Sequence, residues 1–361
     1  MINCRQSIES LRPYIPGKPI NDVKQEYGLS QVIKLASNEN PLGCSDKAKE
    51  AIVNALDEVG IYPDGNASYL RKALSKELNV TEEQLIFGAG SDEIITFITQ
   101  VYVGEGDEAI TCTPSFPRYA SAVKLMGGHI IEVPLKNYTF DLNGIVNAIT
   151  DKTKVIFIAN PNNPTGTIIT KEEQLDFLKK VPKNILVVMD EAYSEYITDD
   201  IFPDTLSILK DYPNLIILKT FSKAYGLASL RVGYGIAKES IIELLNRVRG
   251  PFNVTTLAQN AALASLKDKD FLKQSIELNT TIKEWTYEKC DALGLDYIPT
   301  FGNFIMIHIG VDTLEVFQQL QSKGIIVRPG CFLGLEGWLR VTLGTQEQMA
   351  LFFEKLTDIL N

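Results

Sequence analysis

Leu186-Val187-Val188-Met189-Asp190-Glu191-Ala192-Tyr193 begins as an unbroken apolar run and ends on a carboxylate. A strand with one wet face would alternate in polarity. This one does not, so it reads as a strand covered on both sides, as in a parallel sheet between helices. Burying Asp190 at its end is costly unless the carboxylate meets a cation or a hydrogen-bond donor. Tyr193, three residues on, could face the same partner. An Asp that caps the following turn is the other reading, and the segment alone does not choose between them.

Working outward, Leu85–Gly88, Glu108–Cys112, Ile130–Val133, Val155–Ala159, Leu215–Lys219 and Val232–Ile236 are also short and largely apolar, with helical windows between them. Residues 45–250 are therefore expected to form one α/β domain, a mostly parallel central sheet with helices on both faces. Ala48, Ala51, Ile52, Ala55, Leu56 and Val59 fall on one helical face between Asp46 and Gly60. Thr170 with Glu173, and Thr345 with Gln348, read as capping boxes that start helices. After Pro251 the texture changes. Helical windows at about 254–267 and 270–293 precede strands at Phe304–His308, Ile325–Val327 and Leu339–Leu343, so residues 251–361 are expected to form a smaller α+β domain. Residues 1–44 form an arm that Pro13, Pro16, Gly17 and Pro19 should keep extended, packed on the small domain or reaching to a partner.

A chain of 361 residues is long for one core and suggests about two domains. The net charge of −10 argues against a broad nucleic-acid footprint, which needs a basic face, but leaves room for a local basic pocket. The opening residues contain no apolar stretch of the signal-peptide kind, and no run approaches a membrane span, so a cytoplasmic protein is expected. Five cysteines without a C-x-x-C pair fit reduced thiols better than a disulfide framework or a zinc site. The two histidines, His129 and His308, lie in apolar strand-like runs and are expected to be buried structural residues.

Three further segments carry chemistry. Gly88-Ala89-Gly90-Ser91-Asp92-Glu93 follows a strand and opens a helix, where backbone N–H groups and the helix dipole can approach a phosphate. The dinucleotide fingerprint would need a third glycine at 93, where Glu93 stands, so a plain tight turn fits the segment equally. Asn160-Pro161-Asn162-Asn163-Pro164-Thr165-Gly166 is a strand exit that also sets the Asn163 amide at the carboxyl end of the sheet, where such folds bind ligands. Thr220-Phe221-Ser222-Lys223-Ala224-Tyr225-Gly226, followed by Arg231, is the sharpest signal. Ser222 and Arg231 could hold a phosphate while Lys223 supplies an amine beside it.

Taken in order, the glycine turn, Asn-Pro-x-Gly, Asp-x-x-Tyr, Ser-Lys and Arg resemble the fold type I aminotransferases that depend on pyridoxal 5′-phosphate (PLP), over essentially the whole chain. The resemblance implies that Lys223 carries PLP as a Schiff base and that Asp190 pairs with the protonated ring nitrogen. It also implies that Tyr193 and Asn163 bond the phenolic oxygen and that Phe116 stacks on the ring. The phosphate would then sit on Ser91, Asp92, Ser222 and Arg231. Four stretches are similar to the histidinol-phosphate aminotransferase family: residues 12–19 (RPYIPGKP), 34–43 (KLASNENPLG), 62–65 (YPDG) and 251–254 (PFNV). That resemblance implies transamination between L-histidinol phosphate and 2-oxoglutarate in histidine biosynthesis. It implies substrate contacts from Tyr14, Asn38, Asn163, Arg328 and Arg340, and a homodimer in which Tyr62 reaches the neighbouring cofactor phosphate. Position 116 is Phe where several relatives carry Tyr, which keeps the stacking and loses a hydroxyl. Aromatic amino-acid aminotransferases, threonine-phosphate decarboxylases and non-catalytic regulators share the same cofactor shell and remain alternatives.

Overall fold

The computed structural model describes residues 3–9, 11, 13 and 17–360. Seven strands form the main sheet: β1 (Leu85–Gly88), β2 (Glu108–Thr113), β3 (His129–Pro134), β4 (Thr153–Ala159), β5 (Leu186–Asp190), β6 (Leu215–Thr220) and β7 (Gly233–Ala237). Their order is β1-β7-β6-β5-β4-β2-β3, and only β7 runs against its neighbours. The apolar strand that ends at Asp190 is thus the middle one, and every residue of it is buried. The expected strands are present with ends shifted by a residue or two.

Four further strands, β8 (Tyr297–Ile298), β9 (Phe304–His308), β10 (Arg328–Pro329) and β11 (Trp338–Thr342), make an antiparallel sheet of order β10-β11-β9-β8. The expected strand 325–327 is split. Ile325–Ile326 pairs in parallel with Ile33–Lys34 of the arm, and the chain joins the second sheet only at Arg328. One buried cluster surrounds the seven-stranded sheet and takes in Ala258, Ala261 and Ala262 of the helix Thr256–Lys267. A second is built from Ile33, Leu35, Ile305, Val341 and Phe352. Both expected capping boxes form.

Three expectations need correction. The helix from Asp46 stops at Asn54 and gives way to a 3-10 turn at Leu56–Glu58, so Ala55, Leu56 and Val59 lie beyond it and do not share its face, Ala55 being buried and the other two exposed. The arm is only partly extended: Ile20–Tyr27 is a helix that begins straight after Pro19, with Val23 packed beside Ala36 and Ile326. Neither histidine is buried. His129 is exposed because β3 is the sheet's edge strand, and His308 is half-buried with its ring against Trp338.

The first residue of β7 is held by close backbone approach. A Cβ on Gly233 would lie 2.5 Å from the Ser91 nitrogen, 2.8 Å from the Gly90 carbonyl carbon and 2.9 Å from the Lys219 oxygen. All three are main-chain atoms that cannot swing aside, so Gly233→Ala should destabilise the fold by about 1–3 kcal/mol. Urea unfolding reads this directly, and an unchanged midpoint would mean that β7 and the turn at Gly90 can part without cost.

Candidate active site

The turns that leave β1, β2, β4, β5 and β6 all open at the carboxyl edge of the parallel strands, and β7 enters there. One cavity of about 320 Å³ lies at this edge, lined by both sheets and by Gly17 and Lys18 of the arm. Of the sequence-derived residues, Asn38, Ser91, Asp92, Phe116, Asn163, Asp190, Tyr193, Ser222, Lys223, Arg231, Arg328 and Arg340 line it. Tyr62 does not: it is 80 % exposed and stacks on Phe252 with ring centroids 4.8 Å apart. Tyr14 lies outside the described residues, as do Arg12, Ile15 and Pro16.

Asp190 is only 5 % exposed. The Tyr119 hydroxyl donates to its Oδ2 at 2.8 Å, whereas its Oδ1 is buried with no hydrogen-bond partner. Burial pushes the carboxyl up to about 6, against the pull of the Tyr119 hydroxyl, the Ala192 N–H and the charge of Lys223. Lys223 Nζ donates to the Ser37 carbonyl at 3.2 Å and stands 5.5 Å from the centre of the Tyr193 ring. The Tyr193 hydroxyl accepts from Asn38 Nδ2 at 3.0 Å and Asn163 Nδ2 at 3.4 Å. Asn163 Oδ1 in turn accepts from Arg340 Nη1 at 2.7 Å, and Arg340 Nη2 donates to the Ala36 carbonyl at 2.7 Å. Asn38 adopts φ +56°, a left-handed conformation that strains an ordinary residue, and its amide is held by Thr342 Oγ1.

At the other end, the helix Ser91–Tyr102 points its first turn into the cavity. The Arg231 guanidinium donates to Ser222 Oγ at 3.3 Å and to the Ala89 carbonyl at 3.3 Å. Gly90 has φ +80°, and a Cβ there would lie 2.5 Å from Arg231 Nη2, so only glycine lets the guanidinium lie against the turn. The Asp92 carboxylate is taken by Arg118 at 2.7 Å, which leaves its backbone amide as the part that faces a ligand. Amides, a hydroxyl and a guanidinium together make an anion cradle.

Arg328 and Arg340 are direct partners across β10 and β11, so both side chains leave the same face of that sheet. Arg328 lies over the Phe332 ring at 5.3 Å and Arg340 over Phe304 at 5.5 Å. Sequence reasoning missed Tyr119; its one available signal was an aromatic three residues beyond Phe116, in a helix that starts at Arg118.

The sequence profile of the family described as aminotransferase class I and II matches residues 30–356. The chain belongs to the class I and II aminotransferases. This aminotransferase is 51% identical over 356 residues to a histidinol-phosphate aminotransferase of Caldicellulosiruptor saccharolyticus, covering 99% of each chain. It is 49% identical to one from Moorella thermoacetica, covering 99% of this chain and 93% of that one. Among solved structures, the histidinol-phosphate aminotransferase of Sinorhizobium meliloti in complex with pyridoxal 5′-phosphate superposes with TM-score 0.91 at 26% identity, covering 100% of this chain and 98% of that one. The fold is therefore that of the PLP-dependent aminotransferases of fold type I.

The orphaned oxygen of Asp190 has a measurable consequence for the cofactor-free protein. Folding raises this carboxyl above its ordinary 3.8, so between about pH 4 and 6 the folded chain keeps a proton that the unfolded chain has lost. The stability it contributes is complete below pH 4 and is lost as pH rises through about 6. Asp190→Asn removes that penalty and should raise stability at pH 8 by up to about 3 kcal/mol, with the gain vanishing below about pH 4. Urea melts of both proteins across this range provide the measurement, and a pH-independent difference would contradict the assignment.

Proposed function

We propose that this chain transfers the amino group of L-histidinol phosphate to 2-oxoglutarate, giving imidazole acetol phosphate and L-glutamate, with PLP as cofactor, in histidine biosynthesis. The observation that carries the substrate is the Arg328–Arg340 pair. Like charges set opposite each other on neighbouring strands repel, and an anion between them turns that repulsion into attraction. The guanidinium fork bonds phosphate and carboxylate alike, so one pair can serve a phosphate monoester in one half-reaction and a dicarboxylate in the other. Histidinol phosphate has no α-carboxylate, so its phosphate must supply the anionic recognition. Full-length relatives at 51% and 49% identity that bear this activity in their names support the reading.

The residues present fit PLP. The partnerless Oδ1 of Asp190 suits a protonated ring nitrogen, and Phe116 offers a ring for stacking. The cradle of Ser91, Asp92, Ser222 and Arg231 suits a phosphate. When bound, PLP supplies a carbonyl carbon that exchanges amino groups and a ring that accepts the electrons released at the substrate Cα. Lys223 would hold the cofactor through its amine, and the same amine would serve as the base for the Cα proton. Asp190 would hold the ring nitrogen in its protonated form, which sustains the ring's pull on electrons. Tyr193 and Asn163 would bond the phenolic oxygen and orient the ring, and Asn38 Nδ2 donates to the Tyr193 hydroxyl.

A cytoplasmic homodimer belongs to the same proposal. Val59, Ile61, Tyr62 and Tyr69 lie close together in sequence and are all exposed, which suits a second copy, with Tyr62 completing the neighbouring cofactor phosphate site. All five cysteines are free, which suits a reducing compartment, and no helix among the described residues is long and apolar enough to cross a membrane. The arm (1–44), large domain (45–250) and small domain (251–361) are the units we assign, with the helix Thr256–Lys267 packed on the large domain's core. If the cavity is shared as proposed, mixing the weakly active Tyr62→Ala and Lys223→Ala proteins should recover activity as subunits exchange. Exchange seen by mass spectrometry without recovery would place Tyr62 outside the chemistry.

A charge-assisted hydrogen bond in a partly desolvated pocket is worth roughly 1.5–3 kcal/mol, or about one to two decades in affinity. Arg328→Met should weaken histidinol phosphate by that much in single half-reactions followed by the cofactor's absorbance. Dephosphorylated histidinol should be a poor substrate for the unaltered enzyme and nearly indifferent to the change. Histidinol reacting as well as its phosphate ester, or phenylalanine outcompeting both, would replace this reading with the aromatic aminotransferase one.

A further inference from the structure

Glu93 stands where a dinucleotide-binding turn would have its third glycine, and it has work of a different kind. Its Oε2 accepts from the Ala89 backbone N–H at 2.7 Å and from Asn253 Nδ2 at 2.7 Å. Asn253 Nδ2 also donates to the Phe87 carbonyl at 3.1 Å, and Asn253 Oδ1 accepts from Arg249 Nη1 at 3.0 Å. Arg249 Nη1 continues to the Gly65 carbonyl at 2.6 Å. A line of hydrogen bonds therefore runs from the 64–66 turn through the 249–253 turn to the loop between β1 and its helix.

Ala89 lies between the last strand residue, Gly88, and the helix that starts at Ser91, so neither ladder supplies an acceptor for its N–H. Left alone, that N–H would point wherever the loop turned. The Glu93 carboxylate takes it and ties the same loop to Asn253 on a separate segment. The charge is adverse to a phosphate nearby, so what Glu93 contributes at this turn is its two acceptor bonds.

We propose that Glu93 is a positioning residue for the cofactor's phosphate. It withholds the Ala89 N–H and fixes the loop so that the Ser91 and Asp92 amides present themselves to the phosphate. This rests on the reading of the 88–92 turn as the phosphate cradle. The test is equilibrium binding of PLP and of pyridoxal, which lacks the phosphate, to the cofactor-free protein. Glu93→Ala should weaken PLP about tenfold while pyridoxal stays within about twofold, and Glu93→Gln, whose amide oxygen can accept both bonds, should restore PLP to within about twofold. Arg231→Ala serves as the reference for loss of phosphate contact. If it weakens PLP selectively and Glu93→Ala does not, the role given to Glu93 is wrong and the cradle stands. Equal losses for PLP and pyridoxal in Glu93→Ala would reduce the residue to general structural support. If neither variant separates PLP from pyridoxal, the cradle reading itself fails, and this inference with it.

Discussion

A carboxylate at the end of a strand buried on both faces has to be answered by its surroundings, and at Asp190 the answer is divided. Tyr119 satisfies one oxygen, and the other is buried without a hydrogen-bond partner in a residue that lines the cavity. Because β5 is the middle strand, the turns after β4 and β6 open on either side of that oxygen and bring Asn163 and Lys223 to the same edge. Moving Asp190 out of the sheet would relieve the desolvation but remove the fixed point around which the other groups are arranged. A cationic group placed beside that oxygen would repair the defect, and the neighbouring strands keep the carboxylate from relaxing in any other way.

The same edge is closed from the other side by a chain of amides. Asn303 Nδ2 donates to the Asn38 carbonyl at 3.0 Å, Asn38 holds Tyr193, Asn163 bonds Tyr193, and Arg340 bonds Asn163. This chain crosses from the arm to the large sheet and back to the antiparallel sheet. Residues far apart in sequence thus share one rigid set of distances, as a preorganised site requires. Asn38 accepts an unfavourable backbone conformation to take part.

Much of this was legible in the sequence. Apolar runs ending in Asp, Asn-Pro or Ser-Lys named both the strands and the residues at their tips, because a buried strand must be apolar until it reaches the edge. What stayed hidden depends on pairing between distant segments. No local pattern says that Arg328 faces Arg340, or that the Tyr119 hydroxyl ends beside Asp190. The stretch Asp46–Gly60 misled because apolar residues at helical spacing continue past the point, Asn54, where the helix itself ends, and Leu56 and Val59 are exposed. His129 misled because position in a sheet, edge or centre, is a property of topology and not of the strand's own residues.

The paired arginines sit inside a protein that carries ten more negative than positive charges. At a distance greater than a Debye length, roughly 8 Å at physiological ionic strength, an anionic substrate meets a surface that does not invite it. On the function proposed above, capture is local, inside the cavity that Arg328 and Arg340 both line. Such an arrangement gives up long-range steering and gains discrimination. On that reading, size and charge select together: a polyanion too large for the cavity stays outside a protein of net negative charge, and a small anion can reach Arg328 and Arg340.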